Sequence, residues 1–190
     1  MIRVVVIDDH PALRAGLHAV LDAEPGIVFA GESDGDEERV WPLLNHTEPD
    51  LALLDYHLPK SDGLQLCYRI KQRVPAPKVI VFSAYAGPAL ALPAALAKAD
   101  GLLDKGVPAR DLFEAIRLVN RGERLLEPPS RAVLADAETR LEDGDMPLLA
   151  MLLDETPEHE IAAVLGRERR EVQHAVQHIL SRLRLDVMSA

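Results

Sequence analysis

Five short apolar runs, each followed by a stretch of helical length, fill the first 122 residues of this 190-residue chain. The first run, residues 2–7, is rich in β-branched side chains, which is typical of a strand buried on both faces. A regular alternation of strand and helix predicts an α/β fold with a doubly wound parallel sheet. The predicted strands are 2–7, 27–30, 51–54, 79–82 and 101–103, and the predicted helices are 11–21, 36–44, 63–73, 88–97 and 108–121.

The pattern becomes wholly helical after residue 122. Residues 123–145 contain a Pro-Pro pair, a short helical stretch and an acidic, glycine-containing break, so we predict a linker with a short helix there. Three further helices are predicted at 147–154, 157–165 and 169–184, and Gly166 lies in the turn between the last two. We therefore expect two domains, residues 1–122 and 146–190.

Composition excludes several classes of protein. A net charge of −10 argues against a chain that coats nucleic acid. Its one cysteine, Cys67, cannot form an internal disulfide, and such a chain suits the cytosol. Because no apolar run reaches 18 residues, we expect neither a membrane span nor a membrane partner, and we predict a cytoplasmic protein.

Ionisable and hydroxyl side chains follow four of the five predicted strands. Asp8 and Asp9 follow the first strand, Asp55 the third, Ser83 the fourth and Lys105 the fifth. Because these strand ends share one edge of a parallel sheet, the side chains are expected to lie together. Clustered carboxylates repel one another and favour a hard cation such as Mg²⁺, and a carboxylate beside Mg²⁺ can accept a phosphoryl group. The alternative, solvated strand ends with one structural ion pair, does not account for the full set.

These residues resemble the receiver domain of bacterial two-component response regulators, most closely the NarL/FixJ type. That resemblance implies a flavodoxin-like sheet of order 2-1-3-4-5. It also implies a phosphoacceptor protein rather than an enzyme, with at most self-catalysed phosphoryl transfer and autodephosphorylation. The stretches that carry the resemblance are 8–17, 50–55, 58–63, 99–105 and 115–123.

The resemblance assigns a role to each residue at the strand ends. Asp55 is implied to be the phosphoacceptor, with a sensor histidine kinase as the donor. Ser83 and Lys105 are implied to contact the phosphoryl group and signal its presence. The implied Mg²⁺ ligands are Asp8, Asp9, Asp55 and the backbone carbonyl of His57.

Some positions depart from the family pattern. Leu102 stands where an aromatic switch residue is usual, and Tyr85 either replaces that residue or is a plain surface tyrosine. The predicted fourth helix is almost entirely apolar and carries Pro93, so we expect it to be short or broken. Its apolar surface is expected to serve as a protein interface, with a homodimer as the first possibility. His10, beside the acidic pair, is interpreted as a loop residue without a catalytic role.

The predicted C-terminal helices resemble a truncated LuxR-type helix-turn-helix, expected to regulate transcription by binding DNA. Residues 160–166 match its second helix, and the helix from residue 169 matches the recognition helix. Residues 142–190 hold ten acidic residues against five Arg, so DNA binding is expected to be weak. The alternative is a degenerate output domain that acts by protein–protein interaction without DNA. The candidate DNA contacts are Arg167, Arg169, Arg170, Gln173, His174 and Gln177.

Overall fold

The first 120 residues form a five-stranded, all-parallel sheet with helices on both faces, in a computed structural model that describes residues 1–59 and 61–185. The strand order β2-β1-β3-β4-β5 confirms the predicted fold. Because every strand runs in the same direction, all five carboxyl ends lie at one edge of the sheet. The strands are β1 (Ile2–Ile7), β2 (Ile27–Ser33), β3 (Leu51–Leu54), β4 (Lys78–Ser83) and β5 (Gly101–Asp104).

Five helices connect and follow the strands, close to the predicted positions. Two contain an internal proline, Pro42 in α2 and Pro93 in α4, and both continue past it. A proline leaves the carbonyl four residues earlier without its helical donor. Those earlier residues, Glu38 and Ala89, are exposed, so water can reach them. Thus α4 is short but unbroken. The helices are α1 (Pro11–Asp22), α2 (Glu37–Thr47), α3 (Gly63–Ile70), α4 (Pro88–Leu96) and α5 (Ala109–Asn120).

The segment after α5 begins as an addition to the edge of the sheet. Leu125 accepts a hydrogen bond at 2.9 Å from the backbone N–H of Leu102 in β5, and its own N–H donates to Asp100 at 2.8 Å. The predicted linker is therefore fixed to β5 where it leaves the sheet. The remaining helices are α6 (Arg131–Arg140), α7 (Met146–Leu153), α8 (Glu158–Leu165) and α9 (Arg169–Arg182).

These C-terminal helices cover the apolar helix α4. Its residues Leu90, Leu92 and Leu96 are buried, and α4 contacts α6, α7 and α9. One hydrophobic core runs from the sheet through α3 and α4 into the C-terminal helices. The expectation that α4 presents a free interface to another protein is therefore wrong for this arrangement, because the chain covers the helix itself. A homodimer stays a prediction, through some other surface.

None of the helices within the described parts of the chain has the length and hydrophobicity needed to cross a bilayer. The predicted domain limits at residues 122 and 146 stay predictions.

Candidate functional site

Two buried carboxylates and one lysine form the centre of the site at the carboxyl edge of the sheet. Asp8 and Asp55 are only 2% and 3% exposed. The Lys105 ammonium lies 2.7 Å from Asp8 Oδ2 and 2.8 Å from Asp55 Oδ2, so it pairs with both carboxylates at once. Asp9 lies beside them and is more exposed. The structure thus brings together the acids and the lysine that the strand ends predicted.

The turn after β3 sets the position of Asp55. The backbone N–H of His57 donates to Asp55 Oδ1 at 3.3 Å, and the N–H of Gly63 donates to the carbonyl of Tyr56 at 3.2 Å. A Cβ atom at residue 63 would lie 2.2 Å from the carbonyl oxygen of Asp55, which only glycine avoids. Asp62 then caps α3 through the N–H groups of residues 64 and 65. This turn therefore positions both the carboxylate and the backbone of His57.

Burial and pairing act on the central charges in opposite directions. Burial raises the pKa of Asp55 above its usual value, although hydrogen bonding to Lys105 opposes the shift. Burial alone would lower the pKa of Lys105, but its hydrogen bonds to Asp55 and Asp8 outweigh that effect and raise it. Lys105 is therefore held as a cation against two carboxylates.

The imidazole of His10 also reaches the carboxylates. Interpreting His10 from the sequence only as a loop residue missed this contact. Its Nδ1 lies 2.8 Å from Asp9 Oδ1, 3.0 Å from Asp8 Oδ1 and 4.0 Å from Asp55 Oδ2. One ligand atom from each of the four residues falls within 4.8 Å of the others, a grouping able to hold a metal ion. The sequence feature that could have indicated this contact is the position of His10 directly after the acidic pair at a strand end.

Two predicted residues lie around this centre. Ser83 is buried at the end of β4, where its hydroxyl accepts a hydrogen bond from the N–H of Tyr85. Its carbonyl accepts from the N–H of Lys105 at 3.1 Å, which joins the β4 and β5 ends. The half-exposed Tyr85 ring lies 5.4 Å from the ring of His57, so an aromatic group is present above the turn that follows Asp55.

Comparison with known proteins identifies this arrangement. Residues 4–117 match the response regulator receiver domain family. The chain belongs to this family. It is 28% identical to the DNA-binding transcriptional activator DevR/DosR of Mycobacterium tuberculosis, covering 98% of this chain and 90% of that protein. It is 27% identical to the nitrate/nitrite response regulator protein NarL of Escherichia coli K12, covering 96% and 89%.

A solved structure agrees with both relatives. The response regulator ChrA of a heme-sensing two-component system is 30% identical, with a TM-score of 0.55, and covers 95% of this chain and 89% of that one. The matches extend beyond the receiver into the C-terminal helices. The predicted membership of the two-component response regulators is therefore confirmed.

Two of the six candidate DNA contacts are hydrogen-bonded to the receiver. The Arg169 guanidinium lies 3.4 Å from Glu158 Oε2 and 3.3 Å from the side-chain oxygen of Gln72 on α3. The Gln173 amide donates to the same two oxygens at 3.2 Å. In this arrangement these side chains bind the receiver. Of the other four, Arg167, Arg170 and His174 are exposed, and Gln177 lines a polar groove against the receiver.

Glu158 is the centre of this contact, and it was not predicted. It is 5% exposed and accepts hydrogen bonds from three receiver side chains as well as from α9. Burial would raise the pKa of Glu158, but hydrogen bonds from Lys98 and Gln72 lower it to about 2. The carboxylate therefore stays ionised in the interior. The Glu158 network consists of Glu158, Tyr68, Gln72, Lys98, Arg169 and Gln173.

The far end of α9 meets the turn that carries the phosphoacceptor candidate. The backbone N–H of Leu185 donates to the Tyr56 hydroxyl at 2.7 Å, and Tyr56 is the neighbour of Asp55. Arg184 lies 3.6 Å from Asp62, the residue that caps α3. The receiver thus contacts both the start of α9 and the residues that follow its end.

Proposed function

We propose that this chain is a phosphorylation-controlled transcription regulator of the cytoplasm, with Asp55 as its phosphoacceptor and a sensor histidine kinase as its donor. The observation that carries the proposal is the buried Asp55 carboxylate held 2.8 Å from the Lys105 ammonium. In the transfer, an Asp55 oxygen forms a bond to phosphorus, the bond from phosphorus to the kinase histidine breaks, and the imidazole leaves. No separate substrate is transformed, so the chain is not an enzyme in the usual sense.

The donor set fits a divalent cation. We propose that Asp8, Asp9, Asp55 and the carbonyl of His57 hold Mg²⁺, whose charge would offset that of the phosphoryl oxygens. Lys105 supplies a second, fixed positive charge, and the Ser83 hydroxyl supplies a neutral donor. Because Lys105 pairs with Asp8 as well as Asp55, it keeps one carboxylate partner when Asp55 is modified. This retained pairing supports a role in sensing the phosphoryl group.

The contacts of α9 support a resting form that does not bind DNA. A recognition helix must present its side chains to the major groove, whereas Arg169 and Gln173 are hydrogen-bonded to Gln72 of the receiver. We therefore propose that DNA binding requires these contacts to break. The hydrogen bond from Leu185 to Tyr56 offers a route, since it joins the neighbour of Asp55 to the end of α9.

The second candidate function is an output that binds protein instead of DNA. It is favoured by the acidic balance of residues 142–190, with ten acids and five Arg. Phosphate neutralisation supplies most of the non-specific affinity for DNA, so this balance weakens binding. The two functions differ in their dependence on salt, because only DNA binding releases many counterions.

The deciding experiment measures DNA binding of the full chain against salt concentration, with Mg²⁺ and with or without beryllofluoride as a phosphoryl mimic. Binding that appears with the mimic and falls steeply with salt supports the transcription regulator. Asp55→Asn should lose the response, whereas Asp136→Asn, an exposed acid on α6, should keep it. Absence of binding in both states, at low salt, would assign the output to a protein partner.

A further inference from the structure

The side chain of His10 is directed into the carboxylate pocket by the local backbone. His10 precedes α1, and its N–H donates to Asp8 Oδ1 at 2.8 Å, which turns the residue back toward the strand end. The ring follows, so that Nδ1 faces Asp8 and Asp9, while the imidazole remains 64% exposed at the mouth of the site. This placement leaves room for an ion to approach from solvent.

Lys105 and His10 use different oxygens of Asp8. The ammonium pairs with Oδ2, whereas the imidazole Nδ1 lies at Oδ1, so the two groups do not compete for one position. At Asp55 both groups face Oδ2, with the ammonium at 2.8 Å and Nδ1 at 4.0 Å, so the lysine lies on the inner side of the carboxylates and the histidine on the solvent side. An ion at the outer side would meet a nitrogen atom as well as carboxylate oxygens.

The separations around Nδ1 suit octahedral coordination. An ion with bonds of about 2.1 Å has adjacent ligand atoms about 3.0 Å apart and opposite ones about 4.2 Å apart. The Nδ1 atom lies 2.8 and 3.0 Å from two oxygens and 4.0 Å from a third. The first two distances match adjacent ligands, and the third matches an opposite one. Hydrogen bonds also give distances near 2.8 Å, so the experiment below separates the two explanations.

We propose that His10 is a metal ligand and sets the preference of this site toward a divalent transition cation over Mg²⁺. Mg²⁺ favours oxygen ligands, whereas imidazole nitrogen suits the first-row transition metals. The inference rests on the proposed function only in placing a cation at these carboxylates. The inference adds a nitrogen ligand, and with it a selectivity among divalent cations, that an all-oxygen site would lack.

The test binds Mn²⁺ and Mg²⁺ to the full chain and to His10→Asn. Free Mn²⁺ is followed by its electron paramagnetic resonance, Mg²⁺ by competition, and the bound Mn²⁺ is examined for coupling to a nitrogen nucleus. Asparagine is a favourable residue before a helix, so this variant should fold. The control is His46→Asn, an exposed histidine near the end of α2.

We expect nitrogen coupling in the unaltered chain and in the control, and its loss in His10→Asn. The variant should lose Mn²⁺ affinity by about tenfold or more, with a change of less than about twofold for Mg²⁺. Absence of nitrogen coupling in the unaltered chain, or equal or tighter Mn²⁺ binding by the variant, would overturn the inference. Those results would leave the proposed function standing. Failure of the unaltered chain to bind either ion would overturn both.

Discussion

The Tyr68 hydroxyl of α3 donates a 2.9 Å hydrogen bond to the Glu158 carboxylate of α8, from one part of the chain to the other. Both side chains are buried. An ionised carboxylate is costly to bury without partners, and most of its partners belong to the receiver. The C-terminal helices therefore keep this charge satisfied only while they contact α3 and α4.

Replacing Glu158 with glutamine should weaken that contact. The variant removes the charge that neutralises Lys98 and Arg169, and breaking a buried pair typically costs about 3–5 kcal/mol. We expect a loss toward the lower end of that range, since both cations can reach solvent. Urea denaturation measures the free energy of unfolding. Glu160→Gln, on the exposed side of the same helix, is the control and should change it little.

The same variant should release α9 from the receiver. If DNA is the output ligand, Glu158→Gln should bind DNA without beryllofluoride, because α8, which packs against α9, loses the carboxylate that Tyr68 and Lys98 of the receiver bind. The assay is the salt titration described above. Unchanged stability together with unchanged hydrogen exchange in α9 would show that the Glu158 network does not hold the helix.

The contribution of Glu158 should depend on pH. Its folded pKa of about 2 lies below the value of about 4.3 in an unfolded chain, so the folded state favours the ionised form. Its stabilisation, roughly 3 kcal/mol, is complete above about pH 5 and is lost as the pH falls from there toward 2. Unfolding measured at several pH values should show the difference between the unaltered chain and Glu158→Gln shrinking with acid. A constant difference would contradict the assigned shift.

Gly63→Ala should damage the Asp55 site specifically. Its Cβ would lie 2.2 Å from the Asp55 carbonyl oxygen and 2.7 Å from that of Tyr56, so the turn after β3 must move. We expect a loss of about 1–3 kcal/mol and weaker beryllofluoride binding. Gly16→Ala on α1 is the matched control, with nothing within 4 Å of the added atom. Normal beryllofluoride binding by Gly63→Ala would mean that the turn is not a determinant of the site.

Lys105→Met should make the site more dependent on metal. The substitution leaves Asp8 and Asp55 buried together without their shared cation, so the unfolding temperature without divalent ions should fall. Adding Mg²⁺ should then raise that temperature by more than it does in the unaltered chain. Calorimetry with and without Mg²⁺ measures both effects, and Lys78→Met, at the opposite end of the sheet, is the control. An equal response to Mg²⁺ would count against a shared electrostatic site.

The receiver part of the fold could be predicted because its signals are local. Each buried strand is a short apolar run, and parallel strands place their following residues at one edge. Asp8, Asp55 and Lys105 could therefore be brought together from sequence alone. Boundaries were less accurate: β2 continues to Ser33 and α3 ends at Ile70, since pairing and packing decide where an element stops.

The contact between the two parts of the chain could not be predicted in the same way. Glu158 meets Tyr68 across 90 positions of sequence, and an acid at the start of a helix has an ordinary local explanation in the helix dipole. The apolar composition of α4 was a visible signal, but it does not say what covers the helix. Only the packing of α6, α7 and α9 identifies the cover.

The burial of α4 has a consequence for how this protein is made. Leu92 leaves the ribosome about 90 residues before Leu183, with which it lines the same cleft. At translation rates of about 5–20 residues per second, the apolar helix is synthesised roughly 5–20 s before the last of the residues that cover it. A nascent chain stalled in this interval exposes an apolar surface that is buried in the finished chain. Synthesis, rather than the mature fold, is therefore the stage at which this regulator is most exposed to aggregation and most in need of a chaperone.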